Sequence, residues 1–205
     1  DVMAQTMATA VARGTGIGAH PGFPDLQGFG RRKMQLSQDS LRNLVAYQFG
    51  AARAMAHAAG GEVRHLKLHG ALANMCSADE AMARAAYEGA LSVDPEIIVM
   101  VLAATAQQRA VEALGCRWAG EIFADRAYND DATLVDRWQP GAVIHDAELA
   151  ARRMVAMVQA GAIITDSAKQ IPAAVDTIRP HGAIISCCFD HFWIRTVAST
   201  PCHAK

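Results

Sequence analysis

Apolar residues along this chain recur in two alternating rhythms, one helical and one of strands. Residues 1–13 have a helical spacing that stops at Gly14, and residues 17–20 are a short apolar strand. Ser37 is placed to cap a long helix with Leu41, Leu44, Val45, Ala52 and Met55 on one face. Gln48 is the polar exception on that face, and Gly60-Gly61 end the helix. Residues 62–68 form a second strand. Ser77 to Glu80 reads as a capping box for the next helix, which closes at Asp94-Pro95. The run 97–102, IIVMVL, is apolar on both faces, as a covered parallel strand is. A helix over 105–114 ends at Gly115, and a strand runs through 120–125. After a long loop, 126–145, a helix follows Asp146, stops at Gly161 and leads into a strand at 162–165. Such alternation predicts parallel strands in one α/β domain, either a barrel or a doubly wound sheet. The glycines of GTGIGAHPG precede a strand instead of following one, so they are no dinucleotide fingerprint.

Strand periodicity then sorts the polar residues. In RHLKLHG, His65, Lys67 and His69 share a face, and in GEIFADR so do Glu121, Phe123 and Asp125, with Arg126 just beyond. His20 ends the first strand, and Asp25 follows in a Pro/Gly-rich loop. Polar groups on one face of a central strand are costly to bury without a use. Strand ends delivering His20, Asp25, Lys67, His69, Glu121, Asp125 and Arg126 would converge at the C-terminal mouth of a barrel, where such enzymes work. The competing interpretation is a set of buried ion pairs, such as Lys67 with Glu121. Tyr128 and Asn129 either line the site or face solvent. His57 reads as a surface or core histidine, and His145 as part of a helix entry turn.

Composition narrows the function classes. The 205 residues carry a formal net charge of -1 and are 52% hydrophobic, enough for a core but without a basic footprint for nucleic acid. Arg31-Arg32-Lys33 and Arg152-Arg153 read as solvated faces. No apolar run nears the roughly 20 residues that span a bilayer, so no membrane partner is expected. Five cysteines without regular spacing argue against a disulfide framework and for a cytoplasmic chain with reduced thiols. Cys187, Cys188, His191, Cys202 and His203 crowd the tail, but their spacing matches no paired-ligand pattern, so no metal site is assigned.

The segments GIGAHPGFPDLQGFGRR, RHLKLHGALANM, EIFADRAYNDDATLV and QPGAVIHD resemble, in order and spacing, the LamB/YcsF family over about residues 1–178. That family comprises the A subunits of bacterial ATP-dependent 5-oxoprolinase, also known as lactam utilisation proteins. The resemblance implies a seven-stranded β/α (TIM-like) barrel of the glycoside hydrolase/deacetylase type. It implies a complex with B and C subunits that opens 5-oxoproline, or a related lactam, to glutamate with ATP hydrolysis. It carries over His20 and Asp25 from the AHPGFPD motif, Lys67 and His69 from a KPHG motif, and Glu121, Asp125 and Arg126 from an E-F-ADR motif. On this expectation Lys67 and Arg126 stabilise charge, Asp125 or Glu121 is the base, and His20 and His69 move protons or ligate a metal.

The family's acidic first strand and its CGFHAGD-like strand would precede Asp1, so the chain is expected to be a single β/α-barrel domain, 1–205, incomplete at the N-terminus. Leu68 stands for the motif's Pro, and residues 179–205 form a divergent tail that keeps only His181 and Gly182 of a TICVHGD-like ending. Two alternatives remain open. One is a deacetylase-like hydrolase in which His20, His69 and Asp25 or Asp125 hold a divalent metal. The other is a truncated, non-catalytic member of the family.

Overall fold

The computed structural model describes residues 1–179. Helix α1 (Val2–Ala12) leads to strand β1 (Ile17–Ala19), followed by α2 (Gln38–Ala58), β2 (Val63–Lys67), α3 (Gly70–Ala78) and α4 (Glu80–Val93). Then come β3 (Ile98–Leu102), α5 (Ala106–Leu114), β4 (Trp118–Phe123), α6 (Ala147–Ala160), β5 (Ala162–Ile164), β6 (Gln170–Pro172) and β7 (Thr177–Arg179). Strands β1-β2-β3-β4-β7 form one parallel sheet in that order, and β5 and β6 a separate antiparallel pair. The sheet curls into a half-barrel with helices on its convex side, a mixed α/β fold consistent with a TIM-like architecture.

Local chemistry sets most boundaries. The Ser37 side chain accepts a hydrogen bond from Ser40 N at 3.1 Å, as the cap position requires. Gly115 and Gly161 end α5 and α6 in the left-handed conformation, with φ of 64° and 57°. Leu66, Val99, Val101 and Ile122 are buried; the first three join the helices in the main core. A second cluster packs Ile122, Phe123 and Tyr128 against Met154 and Met157 of α6 and Ile163 of β5.

Three features depart from the sequence expectation. Residues 70–78 form α3, and the cap of α4 is Asp79, which accepts from Met82 N at 3.0 Å; Ser77 instead donates to Asn74 O within α3. The strand at 162–165 is not another parallel rung. Only a tight turn separates β5 from β6, with Thr165 N donating to Lys169 O at 2.9 Å, and a parallel return needs a crossover of a dozen or more residues. Finally β7, unrecognised in the sequence, pairs with β4. The expected tail, 179–205, lies outside the described residues except for Arg179.

A buried glutamine ties the layers together. Gln107 Oε1 accepts from Leu102 N and from the Tyr87 hydroxyl, each at 3.0 Å, and its Nε2 donates to Ala73 O at 2.6 Å. Helices α2 and α4 approach closely at Gly89, where an added Cβ would stand 2.2 Å from Arg42 O. Gly89→Ala gains about 1 kcal/mol of helix propensity. The obstacle is backbone, which cannot rotate aside, so overpacking costing about 1–3 kcal/mol outweighs the gain. The expected outcome is a lower urea midpoint with an unchanged slope; a raised midpoint would show that the two helices can separate freely.

Candidate active site

The concave face of the sheet is polar because its register makes it so. Lys67 on β2 pairs with Met100 on β3, Leu102 with Glu121 on β4, and Phe123 with Arg179 on β7. Register partners in a parallel ladder project to the same side, so His65, Lys67, Glu121, Phe123 and Arg179 share this face. Lys67 and Glu121 form an ion pair across the intervening β3, with side chains 13% and 2% exposed. Strands two apart are separated by roughly 10 Å in a flat sheet, and the curl together with two long side chains closes that span. The Lys67 ammonium also lies over the Phe123 ring, 4.6 Å from its centroid. Burial brings the Lys67 pKa down to about 8, with Arg179 adding to the shift and Glu121 opposing it. Glu121 Oε1 is buried and has no hydrogen-bond partner among the described residues.

Two histidines stand at the mouth. His20 Nδ1 lies 2.7 Å from Lys67 O, so the carbonyl fixes the proton on Nδ1 and leaves Nε2 as an acceptor. His69 Nε2 lies 2.7 Å from Phe29 O and by the same logic leaves Nδ1 open. The two rings meet edge to face with centroids 4.8 Å apart. His20 stands exposed at the rim, yet desolvation of its ring, with the nearby His69, Lys67 and Arg179, pulls its pKa down to about 4. His20 is therefore neutral at pH 7. Behind them the His65 ring lies over Gly18, where any Cβ would overlap it.

The glycine-rich loop closes on His69. Gly22 and Gly30 both face its ring, where added Cβ atoms would come within 3.1 and 2.9 Å. Phe29 and Gly30 adopt positive φ of 53° and 66°, and for Phe29 this is a strained conformation that packing must hold. The polar exception in α2 explains itself here. Gln48 clamps Gly22, accepting from its N–H at 3.1 Å and donating to its carbonyl at 2.7 Å.

Not all the motif residues meet at the cluster. Asp25 turns back on its own loop, accepting from Gly28 N at 2.9 Å and from the Arg32 guanidinium, which pulls its pKa down to about 2. Arg32, read as part of a solvated face, is thus a loop fastener. Arg126 is 3% exposed and donates to the carbonyls of Ala142 and Val135, closing the 126–145 loop. That engagement places the guanidinium on loop backbone. Asp125 is buried two residues past β4, and its carbonyl accepts from Ile144 N at 2.9 Å. Tyr128 neither lines the site nor faces solvent: it is fully buried, and its hydroxyl accepts from Phe123 N at 2.7 Å. His57, His145 and Asn129 are exposed. No group of three or more His, Cys, Asp or Glu among the described residues is arranged to hold a metal ion. The crowded Cys/His tail lies outside them. Sequence reasoning missed Arg179 and the clamp at Gln48; the break in the apolar face of α2 was the signal for the latter.

Comparison with known proteins covers nearly the whole chain. The model of the LamB/YcsF family matches residues 1–188. The chain is 70% identical over 182 residues to the 5-oxoprolinase A subunit of Ruegeria pomeroyi, covering 89% of this chain and 72% of that protein. It is 47% identical over 181 residues to the protein of the same name from Thermococcus onnurineus, covering 88% and 71%. The crystal structure of the lactam utilization protein from Thermus thermophilus superposes with a TM-score of 0.78 at 38% identity, over 86% of this chain and 71% of that one. No helix among the described residues is long and apolar enough to cross a membrane.

The environment of His20 makes a pH test. Between pH 6.5 and about 4 the unfolded chain binds a proton at His20 that the folded chain refuses. Stability attributable to His20 is therefore intact above pH 6.5 and lost as pH falls toward 4. His20→Asn keeps a donor for Lys67 O without titrating, so its stability should decline less steeply over that window in urea titrations at successive pH. Equal slopes for both proteins would show that His20 titrates normally.

Proposed function

The chain belongs to the LamB/YcsF family, and from that premise we propose that it acts as the A subunit of ATP-dependent 5-oxoprolinase, opening 5-oxo-L-proline to L-glutamate with ATP hydrolysis in the cytoplasm. The proposal includes assembly with the B and C subunits and a β/α barrel of seven strands, of the glycoside hydrolase/deacetylase type. The observation that carries it is the Lys67–Glu121 pair, set beside two histidines of fixed tautomer at the C-terminal mouth of a curled parallel sheet.

The chemistry follows from the substrate. A lactam resists water because resonance gives its C–N bond partial double-bond character. Transfer of the ATP γ-phosphoryl group to the amide oxygen breaks that resonance and makes the carbon electrophilic. Water then adds to the carbon as Glu121 takes a proton from it, Lys67 stabilises charge on the oxygens, and the ring nitrogen receives a proton as the C–N bond breaks. The product of that step is a γ-glutamyl phosphate, and a second water cleaves it to glutamate and inorganic phosphate. His20 and His69, each with an open ring nitrogen, are placed to relay these protons. Asp25, Arg126 and Gln48 hold the loops that frame the site. Asp125, buried just past β4, remains the alternative base.

The test is glutamate formation by the chain assembled with the B and C subunits. Turnover should require both 5-oxo-L-proline and ATP, and Glu121→Gln should lower kcat about 100- to 1,000-fold. Turnover that needs no ATP and is abolished by a chelator would favour the metal-dependent hydrolase instead. A complex that forms normally and is inert would favour a non-catalytic role.

A further inference from the structure

Arg179 ends β7 on the concave face, in register with Phe123, one strand beyond Glu121. Its guanidinium forms no hydrogen bond or ion pair among the described residues. It is close enough to Lys67 and His20 for its charge to lower the pKa of both. The face thus carries two cations, Lys67 and Arg179, beside Glu121, whose Oε1 is buried and unpartnered among the same residues. A guanidinium facing a buried ammonium is unfavourable unless an anion joins them. An orphaned carboxylate oxygen likewise calls for a donor.

We propose that Arg179 clasps the carboxylate of the substrate, which leaves Lys67 and the free Oε1 of Glu121 facing the lactam group. The inference rests on the lactam reading and deepens it: the site selects a cyclic amide that bears a carboxylate over one that does not. The guanidinium supplies the planar, two-pronged donor that suits a carboxylate. Arg179 is a specificity-determining residue in this arrangement, and the bond-making steps remain with the groups at Lys67 and Glu121.

The experiment is calorimetric titration of the full chain, Arg179→Gln and Arg179→Lys with three probes. These are 5-oxo-L-proline, 2-pyrrolidinone (the same ring without the carboxylate) and cyclopentanecarboxylate (a ring acid without the lactam). The unsubstituted chain should prefer 5-oxo-L-proline over 2-pyrrolidinone by about 10- to 100-fold, the range of a charged hydrogen bond. Arg179→Gln should lose that preference with 2-pyrrolidinone affinity unchanged, and Arg179→Lys should recover part of it. A preference that survives in Arg179→Gln, or is absent in the unsubstituted chain, overturns the clasp and leaves the lactam reading standing. Arg179-dependent binding of cyclopentanecarboxylate as tight as that of 5-oxo-L-proline keeps the clasp and removes the lactam reading. Binding of none of the three overturns both.

Discussion

The ion pair between Lys67 and Glu121 is the constraint around which this molecule is arranged. It joins β2 to β4 across β3, so it exists only if the sheet curls toward the side the pair occupies. Desolvating two charges costs several kcal/mol each, and their attraction offsets this only with close geometry and further contacts. Phe123 supplies one such contact from below the ammonium. Removing either partner would strand the other charge at a cost of about 3–5 kcal/mol. A pair this expensive, with one carboxylate oxygen still unpartnered among the described residues, contributes little to stability that hydrophobic packing would not provide better.

The mouth above the pair is built by exclusion of side-chain volume. Gly18, Gly22 and Gly30 leave room for the rings of His65 and His69, so the histidines fill space that a Cβ would occupy. The loop that carries two of these glycines is fastened at both ends, by Gln48 on Gly22 and by Arg32 on Asp25. A further main-chain bond, from His69 N to Pro21 O at 2.7 Å, locks loop to strand end. Backbone strain at Phe29 is sustained by this framing, and its carbonyl holds His69 in one tautomer.

Periodicity made the parallel strands and the long helices legible, because covered strands and amphipathic helices leave different apolar rhythms. It also placed Lys67 and Glu121 on inward faces, with their ion pair as the interpretation that competed with a catalytic one. What it could not give was determined by distant contacts. Helix α3 is short and lies in a stretch between the second strand and the next helix to which the apolar rhythm assigned no element. Strand β7 has three residues, too few for any rhythm, and is specified by pairing with β4. Asp25 and Arg126 carry charges suited to chemistry, yet their partners are loop backbone and Arg32, and no spacing rule in a single sequence separates a charge that meets substrate from one that holds the loop around it.

The electrostatics of the mouth shift two of its ionisable groups in the same direction. His20 is kept neutral by desolvation and by the cations near it, while the Lys67 pKa of about 8 puts its proton within reach of exchange at neutral pH. Both groups lie below their usual range, so each gives up its proton at a lower pH than a free side chain would. An anion arriving beside Arg179 would reverse part of this balance, since it offsets the charge that depresses both groups. The protonation of Lys67 then depends on whether the anion site is filled. On the proposed clasp, the Lys67 ammonium is firmer with the substrate carboxylate beside it than without it.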